Sequence, residues 1–241
     1  MCDKQPFCRV QNYPRIFTIQ NSNWKIVMKD VAIYGFGGFG REVACLLNKI
    51  NELGKTWNLV GFFDDGFEVG TENRYGKVLG GIDALNSYKT PLNVVIAIAN
   101  PKIIKKLVAG ITNNKVEFPN LIAPNVNIFD TNAFEIGKGN IIFWGCRLSC
   151  DVAIGNFNLI NGAVSLGHDV KIGDCNVLGP STRLSGNCVV GNENLFGVES
   201  VVLQGIKIGY ETKIGIGSVV IRDTKDHTFY FGNPAKIIEG Q

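Results

Sequence analysis

The chain repeats every six residues in the stretch DVAIGNFNLINGAVSLGHDVKIGDCNVLGP, residues 151–180. Within this stretch an aliphatic residue stands at every sixth position from Ile154 to Leu178, and in most repeats a glycine directly follows it. Steps of six in both directions keep this pattern from Ile136 to Val220, which gives fifteen apolar positions in an unbroken row. A fixed short period of this kind indicates a repeat architecture.

A period of six fits neither a helix, which repeats every 3.6 residues, nor an ordinary strand, which repeats every two. We therefore interpret each hexapeptide as a short strand and a corner, with the aliphatic side chain inward and the glycine where a β-carbon would crowd the corner. Three such sides close a triangular prism, so fifteen hexapeptides predict five turns. Weaker positions upstream, at Ile122, Ile128 and Phe134, predict one more irregular turn.

The region before the repeat follows a different pattern, in which strands alternate with helices. The predicted strands and helices are strands 31–35, 59–65 and 94–99 and helices 41–53 and 101–108. This alternation is typical of a parallel α/β sheet. We expect an α/β domain at residues 28–120 and a coiled domain with a C-terminal loop at residues 121–241. Residues 1–27 have no clear period and are either a leader or an ordered extension.

Composition excludes several classes of partner. The net charge of +3 arises from 24 basic and 21 acidic residues that are scattered along the chain, so we expect no nucleic-acid partner. No apolar stretch has the shape of a secretory signal or a membrane span. The seven cysteines form no CxxC pair, which favours a reduced, cytoplasmic protein whose cysteines serve packing rather than metal binding.

Four short segments add chemistry to the repeat: YGFGGFG (34–40), FFDD (62–65), LGHD (166–169) and FGNPAK (231–236). With these segments, the chain from Met28 onward resembles the sialic acid O-acetyltransferase and nucleotide-aminosugar N-acetyltransferase family of hexapeptide-repeat acyltransferases. The resemblance implies a small α/β Rossmann-like N-terminal domain followed by a left-handed parallel β-helix. It also implies an acetyl-CoA co-substrate and no metal.

Acetyl transfer to an amine or hydroxyl needs a base, and the resemblance places that base at His168. Histidine suits this role because its ordinary pKa lies close to neutral pH. Asp169 matches the acidic residue that strengthens the base, but adjacent strand residues point to opposite faces, so it can reach His168 only if the chain turns there. The alternative is that both are solvated residues at an exposed corner. The only other histidine, His227, is expected at the surface.

The glycines of YGFGGFG lie between a predicted strand and a predicted helix, where backbone amides and the positive end of the helix stabilise a phosphate. The resemblance assigns substrate contacts to Gly37, Gly38 and Phe39 in this loop. It assigns further contacts to Asp64 and Asp65, at the end of the second strand, where a carboxylate accepts hydrogen bonds from a ribose or a uracil-type base. A tight turn without a ligand is the alternative reading of the glycines.

The resemblance also places acetyl-CoA along the coils, in contact with Gly186, Val198 and Ile216. Lys236, in the terminal segment GNPAK, is a candidate partner for a CoA phosphate. Each of the first three residues is equally an ordinary member of the repeat, so a purely structural role stays open for them.

Two positions depart from the pattern of family members that act on 4-amino nucleotide sugars. Val177 stands where those members often have a second histidine, nine residues after the first, and this puts one contact to the thioester in question. Ala99 stands where they often have a glycine in the substrate pocket.

The leading hypothesis is an acetyl-CoA-dependent acetyltransferase that N-acetylates a nucleotide-linked 4-aminosugar for surface glycan biosynthesis. A sugar O-acetyltransferase of the sialic acid type is the nearest alternative. An NAD-dependent oxidoreductase is disfavoured because the α/β pattern stops after about 90 residues, which leaves little room for a full dinucleotide fold. A non-catalytic scaffold is the remaining alternative.

The outer faces of the predicted coil carry apolar residues, among them Phe157, Leu159, Val189 and Leu195, that a monomer would expose to water. Parallel packing about a threefold axis is the arrangement that the family uses. We therefore expect a homotrimer with active sites shared between neighbouring subunits.

Overall fold

The computed structural model describes residues 28–238, and the predicted leader or extension at residues 1–27 lies outside them. The N-terminal half contains six strands and three helices. They are β1 (Lys29–Tyr34), α1 (Gly38–Leu53), β2 (Trp57–Phe63), β3 (Glu72–Asn73), β4 (Gly76–Gly80), α2 (Ile82–Asn86), β5 (Leu92–Ile96), α3 (Pro101–Gly110) and β6 (Val116–Glu117).

These strands form one sheet in the order β3-β4-β2-β1-β5-β6, parallel except for the antiparallel pair β3 and β4. The expected α/β arrangement is confirmed. The first helix begins at Gly38 rather than residue 41, because the glycines of the loop themselves enter its first turn. Strands β1 and β5 are fully buried near their carboxyl ends, as expected for parallel strands covered on both faces.

The C-terminal half is a coil of two-residue strands. They are β7 (Leu121–Ile122), β8 (Asn127–Ile128), β9 (Glu135–Ile136), β10 (Ile141–Ile142), β11 (Arg147–Leu148), β12 (Ala153–Ile154), β13 (Leu159–Ile160), β14 (Ser165–Leu166), β15 (Lys171–Ile172), β16 (Val177–Leu178), β17 (Arg183–Leu184), β18 (Val189–Val190), β19 (Leu195–Phe196), β20 (Val201–Val202), β21 (Lys207–Ile208), β22 (Lys213–Ile214) and β23 (Val219–Val220). A terminal hairpin follows, made of β24 (Phe229–Phe231) and β25 (Lys236–Ile237).

Every third strand of the coil stacks in parallel on the one before it, which creates three flat faces. The first face contains β7, β10, β13, β16, β19 and β22, the second begins with β8, and the third begins with β9. We call the edges between the first and second, second and third, and third and first faces the first, second and third corners. The predicted fold class, an α/β domain followed by a parallel β-helix, is confirmed.

The repeat count is nearly as expected. The strands β9 to β23 are the fifteen predicted hexapeptides and make five turns. Upstream, β7 and β8 add only two sides, so the expectation of a full extra turn is wrong by one side. Phe134 is not the inward residue of a strand, because two additional residues before β9 move that position to Ile136.

The glycines that follow the inward aliphatic residues are required by close packing, as expected. A β-carbon on Gly137 would lie 2.7 Å from the carbonyl oxygen of Gly155 in the next coil. The sharp turn itself occurs two residues further on, where the chain adopts a left-handed φ. Non-glycine residues occupy that position in most coils, and examples are Asp151, Asp169 and Asn187.

A ladder of buried asparagines runs through the interior of the coil beside the aliphatic column. Its members are Asn140, Asn158, Asn176 and Asn194, each at most 1% exposed. The side-chain oxygen of each one accepts the backbone N–H of the next, at 2.8 to 2.9 Å. Because buried amides are costly without partners, the ladder fixes one register for the stacked coils.

The α/β domain packs on the first face of the coil. Ile141, Leu159 and Val177 point outward from this face and are buried in the same apolar cluster as the sheet. Phe39 contacts Phe143 with ring centroids 5.6 Å apart.

Helix α3 reaches the third corner of the coil through two ion pairs. Lys105 contacts Glu193 at 2.6 Å, and Lys102 contacts Glu211 at 3.1 Å. These pairs lie further along the same side of the coil, so they extend the contact between the two domains.

This packing corrects the expectation about exposed apolar residues. Phe157 and Leu159 are buried, and Leu195 is half-buried against the same cluster. The α/β domain of the same chain therefore covers residues that had been assigned to a subunit interface. Of the four residues named, only Val189 is exposed, at 41%.

Candidate active site

His168 and Asp169 form a hydrogen-bonded pair at the second corner. His168 follows strand β14, and the chain turns at Asp169, where φ is 59°. The turn brings Nδ1 of His168 to 2.7 Å from Oδ2 of Asp169. Because an ionised carboxylate only accepts hydrogen bonds, Nδ1 donates and Nε2 carries the free lone pair. Nε2 is therefore the nitrogen that is available as a base.

The next coil supplies the surface on which the His168 ring rests. Gly186 lies eighteen residues further along, and a β-carbon there would lie 2.4 Å from Nε2. The N–H of Asn187 donates to the carbonyl oxygen of His168 at 2.8 Å. The side chains of His168 and Asp169 are still 47% and 52% exposed, so the pair is open to a ligand from outside the chain.

The glycine loop leaves the start of helix α1 open. Gly37 precedes the helix without a side-chain cap, and the first turn carries no acidic residue. A β-carbon on Gly37 would meet nothing within 4 Å, and one on Gly38 would meet only Arg41 at 3.8 Å. The backbone N–H groups of this turn can therefore receive an anion such as a phosphate.

Two other glycines of the loop have a packing role. A β-carbon on Gly35 would lie 2.6 Å from the carbonyl oxygen of Ala97, and one on Gly40 would lie 1.9 Å from that of Gly35. Gly35 brings the loop close to the end of strand β5, and Gly40 brings the first turn of α1 close to the loop.

Asp64 and Asp65 organise the loops around this opening. Asp64 accepts the N–H of Phe36 at 2.8 Å and that of Gly66 at 2.8 Å, so it joins the β1–α1 loop to the β2–β3 loop. Both oxygens of Asp64 retain lone pairs for a further donor.

Asp65 accepts hydrogen bonds from the hydroxyl of Tyr34 and from the N–H of Ile82 at 2.9 Å. Burial, and then the bond to Asp65, raise the pKa of Tyr34 well above its usual value, so its hydroxyl stays a donor. Neither this bond nor the role of Asp64 between the loops was expected from the sequence.

The residues assigned to acetyl-CoA lie in two separate places on one chain. Gly186 is at the second corner, directly beside His168, whereas Val198 and Ile216 follow strands of the first face and lie at the first corner. Val198 and Ile216 are 40% and 67% exposed, and Lys236 is exposed in the terminal hairpin. A ligand that touches all four residues has to span the second face or lie between two chains.

The two halves of the candidate site also lie on different sides of the coil. Phe39, in the glycine loop, contacts the first face, and His168 is at the second corner. In a triangular cross-section, the second corner is opposite the first face. The structure therefore does not bring the glycine loop and the histidine of one chain together.

The two departures from the family pattern differ in their surroundings. Val177 is 4% exposed and packs in the cluster between the coil and the α/β domain. Ala99 is exposed, between strand β5 and Asn100, whose side chain caps helix α3. His227 is 67% exposed and contacts Glu211 at 3.4 Å, so its expected surface location is confirmed.

Within residues 28–238, no group of three or more His, Cys, Asp or Glu side chains is arranged to hold a metal ion. The same residues include no helix with the length and apolar character needed to cross a bilayer.

Known proteins resemble this chain over one domain or over both. Residues 30–111 match the family model described as the PglD N-terminal domain. A His→Asn variant of perosamine N-acetyltransferase from Caulobacter crescentus, solved with CoA and GDP-perosamine, superposes with a TM-score of 0.78 at 26% identity, over 89% of this chain and 99% of that chain. The chain is similar, over nearly 90% of its length, to nucleotide-aminosugar N-acetyltransferases of the hexapeptide-repeat type. The predicted resemblance is thus confirmed.

Two further solved structures are similar over most of the chain. The acetyltransferase domain of PglB from Neisseria gonorrhoeae, solved with acetyl coenzyme A, has a TM-score of 0.79 at 26% identity, over 88% of this chain and 100% of that chain. WeeI from Acinetobacter baumannii has a TM-score of 0.78 at 28% identity, over 88% of this chain and 100% of that chain. Among curated proteins, no sequence matches this chain.

Proposed function

We propose that the protein transfers the acetyl group of acetyl-CoA to the amino group of a nucleotide-linked 4-aminosugar, for surface glycan biosynthesis. The observation that carries this proposal is its similarity, over 89% of the chain, to an N-acetyltransferase solved with CoA and GDP-perosamine. The 4-amino position and the glycan pathway are taken from the sequence resemblance.

His168 is the proposed general base. As the sugar amine attacks the acetyl carbonyl carbon, Nε2 accepts a proton from the amine nitrogen. The bond between the carbonyl carbon and sulfur then breaks, and His168 returns the proton to the sulfur, which gives the acetamide and free CoA. Asp169 keeps the Nδ1 proton in place and stabilises the imidazolium form while it exists, since the two side chains are 2.7 Å apart.

The α/β domain is the proposed nucleotide-binding part, and we place its boundary with the coil close to residue 120. The diphosphate lies at the open N-terminus of α1, against Gly37, Gly38 and Phe39, where N–H groups are unpaired by any side chain. Asp64 and Asp65 stand beside this opening and accept hydrogen bonds from the nucleoside.

The proposed acetyl-CoA contacts are Gly186, Val198, Ile216 and Lys236. Gly186 lies beside His168, the proposed general base, so the thioester lies at the level of Gly186 along the coil axis. Val198 and Ile216 offer exposed apolar surface for the pantetheine arm, and Lys236 offers a cation for a phosphate.

We further propose a homotrimer, because one chain does not join its glycine loop to its own His168. If the second faces of three coils surround a threefold axis, the second corner of one subunit meets the first corner of its neighbour. His168 and Gly186 of one subunit then face Val198 and Ile216 of the next, whose α/β domain lies on the adjoining first face. The five cysteines of residues 28–238 are unpaired, which agrees with a reducing cytoplasm.

The activity is tested by measuring CoA release from acetyl-CoA with a panel of acceptors: 4-amino nucleotide sugars such as GDP-perosamine, their 4-hydroxy counterparts and sialic acid. We expect turnover only with the amino sugars and an amide product by NMR. Acetylation of a hydroxyl, with the amino sugars inert, would replace the proposal by the O-acetyltransferase alternative. Binding of NAD without binding of CoA would exclude both.

The shared site is tested by mixing two inactive variants. His168→Asn removes the base, and Gly38→Asp places a carboxylate at the start of α1, where it repels a phosphate. In co-refolded hybrids, some shared sites combine the intact His168 of a Gly38→Asp chain with the intact loop of a His168→Asn chain. We expect these sites to regain activity. A fully active monomer in light scattering, or no recovery in demonstrated hybrids, would contradict the shared trimeric site.

A further inference from the structure

An exposed phenylalanine lies beside the proposed phosphate site. Phe67 is in the loop between β2 and β3 and has 46% of its surface exposed. Its ring contacts the buried ring of Phe36, with centroids 5.0 Å apart and an interplanar angle of 66°. Phe36 in turn contacts Phe62 of the sheet at 5.3 Å. Phe67 is therefore supported from below by a fixed aromatic core while its outer surface meets solvent.

The support comes from hydrogen bonds as well as from rings. Asp64 accepts N–H groups from Phe36 and from Gly66, each at 2.8 Å. These two bonds fix the residue immediately before Phe67 and the residue on which its ring packs. The loop is thus positioned relative to Gly37, which follows Phe36 directly at the start of α1.

The sheet order indicates which end of a nucleotide sugar lies here. Strand β1 has β2 on one side and β5 on the other, and the open helix N-terminus follows β1. In doubly wound sheets, a ligand with its phosphates at this helix places its nucleoside over the next strand along the chain, and an acid at the end of that strand holds the ribose. Here that strand is β2, and the acids are Asp64 and Asp65.

We propose that Phe67 stacks against the nucleobase of the sugar nucleotide. This inference rests on the proposed function, which supplies the nucleotide, and it adds a base-binding residue that the sequence motifs do not include. A planar base placed on the outer surface of Phe67 covers exposed apolar area and leaves the carboxylate of Asp64 within reach of the ribose.

The contribution of stacking to the free energy of binding is large enough to be measured. Removal of an aromatic partner weakens base binding by roughly 1–3 kcal/mol, which corresponds to about a 5- to 150-fold rise in Kd. The alternative is that Phe67 only covers Phe36. In that case its removal lowers the stability of the domain and affects base-containing and base-free ligands alike.

The test is calorimetric binding of GDP, UDP and dTDP, with inorganic pyrophosphate as the base-free probe. In Phe67→Ala we expect the Kd of the bound nucleoside diphosphate to rise about 5- to 150-fold, with the Kd values of pyrophosphate and CoA unchanged. Phe67→Trp keeps a stacking surface and should retain binding. Val69→Ala, in the same loop at a residue 74% exposed, is the matched control and should bind as the wild type does.

The outcomes separate the two proposals. If the wild type binds no nucleoside diphosphate, the proposed function and the stacking role both fail. If the wild type binds one and Phe67→Ala binds it equally well, only the stacking role is overturned. Equal losses for nucleoside diphosphate and pyrophosphate would also overturn it, because they indicate a distorted loop.

Discussion

The imidazole of His168 lies directly against Gly186 of the next coil. A β-carbon at residue 186 would come within 2.4 Å of Nε2 and 2.5 Å of Cε1. Asp169 holds the ring through the hydrogen bond at Nδ1. The position of the ring therefore depends on the hydrogen bond to Asp169 and on glycine at residue 186, where any side chain would occupy the space of the ring.

Gly186→Ala should move the proposed base. The added methyl group displaces the ring from its present position, and displacements of about 1 Å in a catalytic group reduce rates by up to about a hundredfold. We expect kcat to fall at least tenfold in an acetyl transfer assay, with the melting temperature little changed. Gly162→Ala is the matched control, because a β-carbon there makes an ordinary contact of 3.5 Å. Equal activity of the two variants would show that Gly186 does not position His168.

His168→Asn should lower turnover by about a hundredfold to ten-thousandfold, the usual effect of losing a general base. CoA binding, measured by calorimetry, should stay within about twofold of wild type, since the change is confined to a side chain at an exposed corner. His227→Asn replaces the other histidine, which is 67% exposed, and should keep full activity. A fully active His168→Asn enzyme would remove the central assignment.

Asp169→Asn should reduce turnover by roughly ten- to a hundredfold, because a hydrogen bond to a charged group contributes about 1.5–3 kcal/mol. Asparagine tolerates the left-handed φ of 59° at this corner, so the coil should fold normally. Asp151→Asn makes the same change one coil earlier, at a φ of 56°, and should leave kcat unaffected. If both variants behave alike, Asp169 contributes only to the turn.

Alkaline pH should destabilise the coil through its buried thiols. Burial raises the pKa of Cys146 from 9.0 to about 11, so in the unfolded chain the thiol ionises at lower pH than in the folded chain. The stabilisation is complete below pH 9 and is lost as pH rises to about 11, by up to about 3 kcal/mol. Denaturant unfolding at pH 8 and pH 11 measures it. Cys146→Ala should lose less stability over this interval than Cys150→Ala does, and equal losses would contradict the effect.

The architecture was predictable because its causes are local. The apolar residue at every sixth place, from Ile136 to Val220, and the alternation of strands and helices before it are both patterns of residues that are close in sequence. The packing of the two domains was not predictable in this way. Phe157 and Leu159 look like surface residues of a coil, and only the position of the α/β domain on the first face explains their burial.

The pairing of His168 with Asp169 could be anticipated from the motif, but its geometry depends on a turn that the sequence expresses weakly. The left-handed φ falls on aspartate, asparagine, glutamate and other residues rather than on glycine alone. The contact between the His168 ring and Gly186 has a sequence signal. Once the length of a coil is known to be eighteen residues, Gly186 is the residue stacked on His168. The location of His168 opposite the first face has no local signal, because it follows from the closure of the prism.

The register that the asparagine ladder fixes also sets a length. Stacked strands are about 4.8 Å apart, and Ile216 follows a strand three coils beyond the level of His168, so these positions are separated by about 14 Å along the coil axis. In the proposed arrangement, the coil thus fixes the distance between the level at which the thioester of acetyl-CoA binds and the level at which its far end binds. One additional eighteen-residue coil inserted between Asn187 and Val198 would increase this distance by about 4.8 Å. Acetyl-CoA could then keep its contacts at one of the two levels only by losing those at the other.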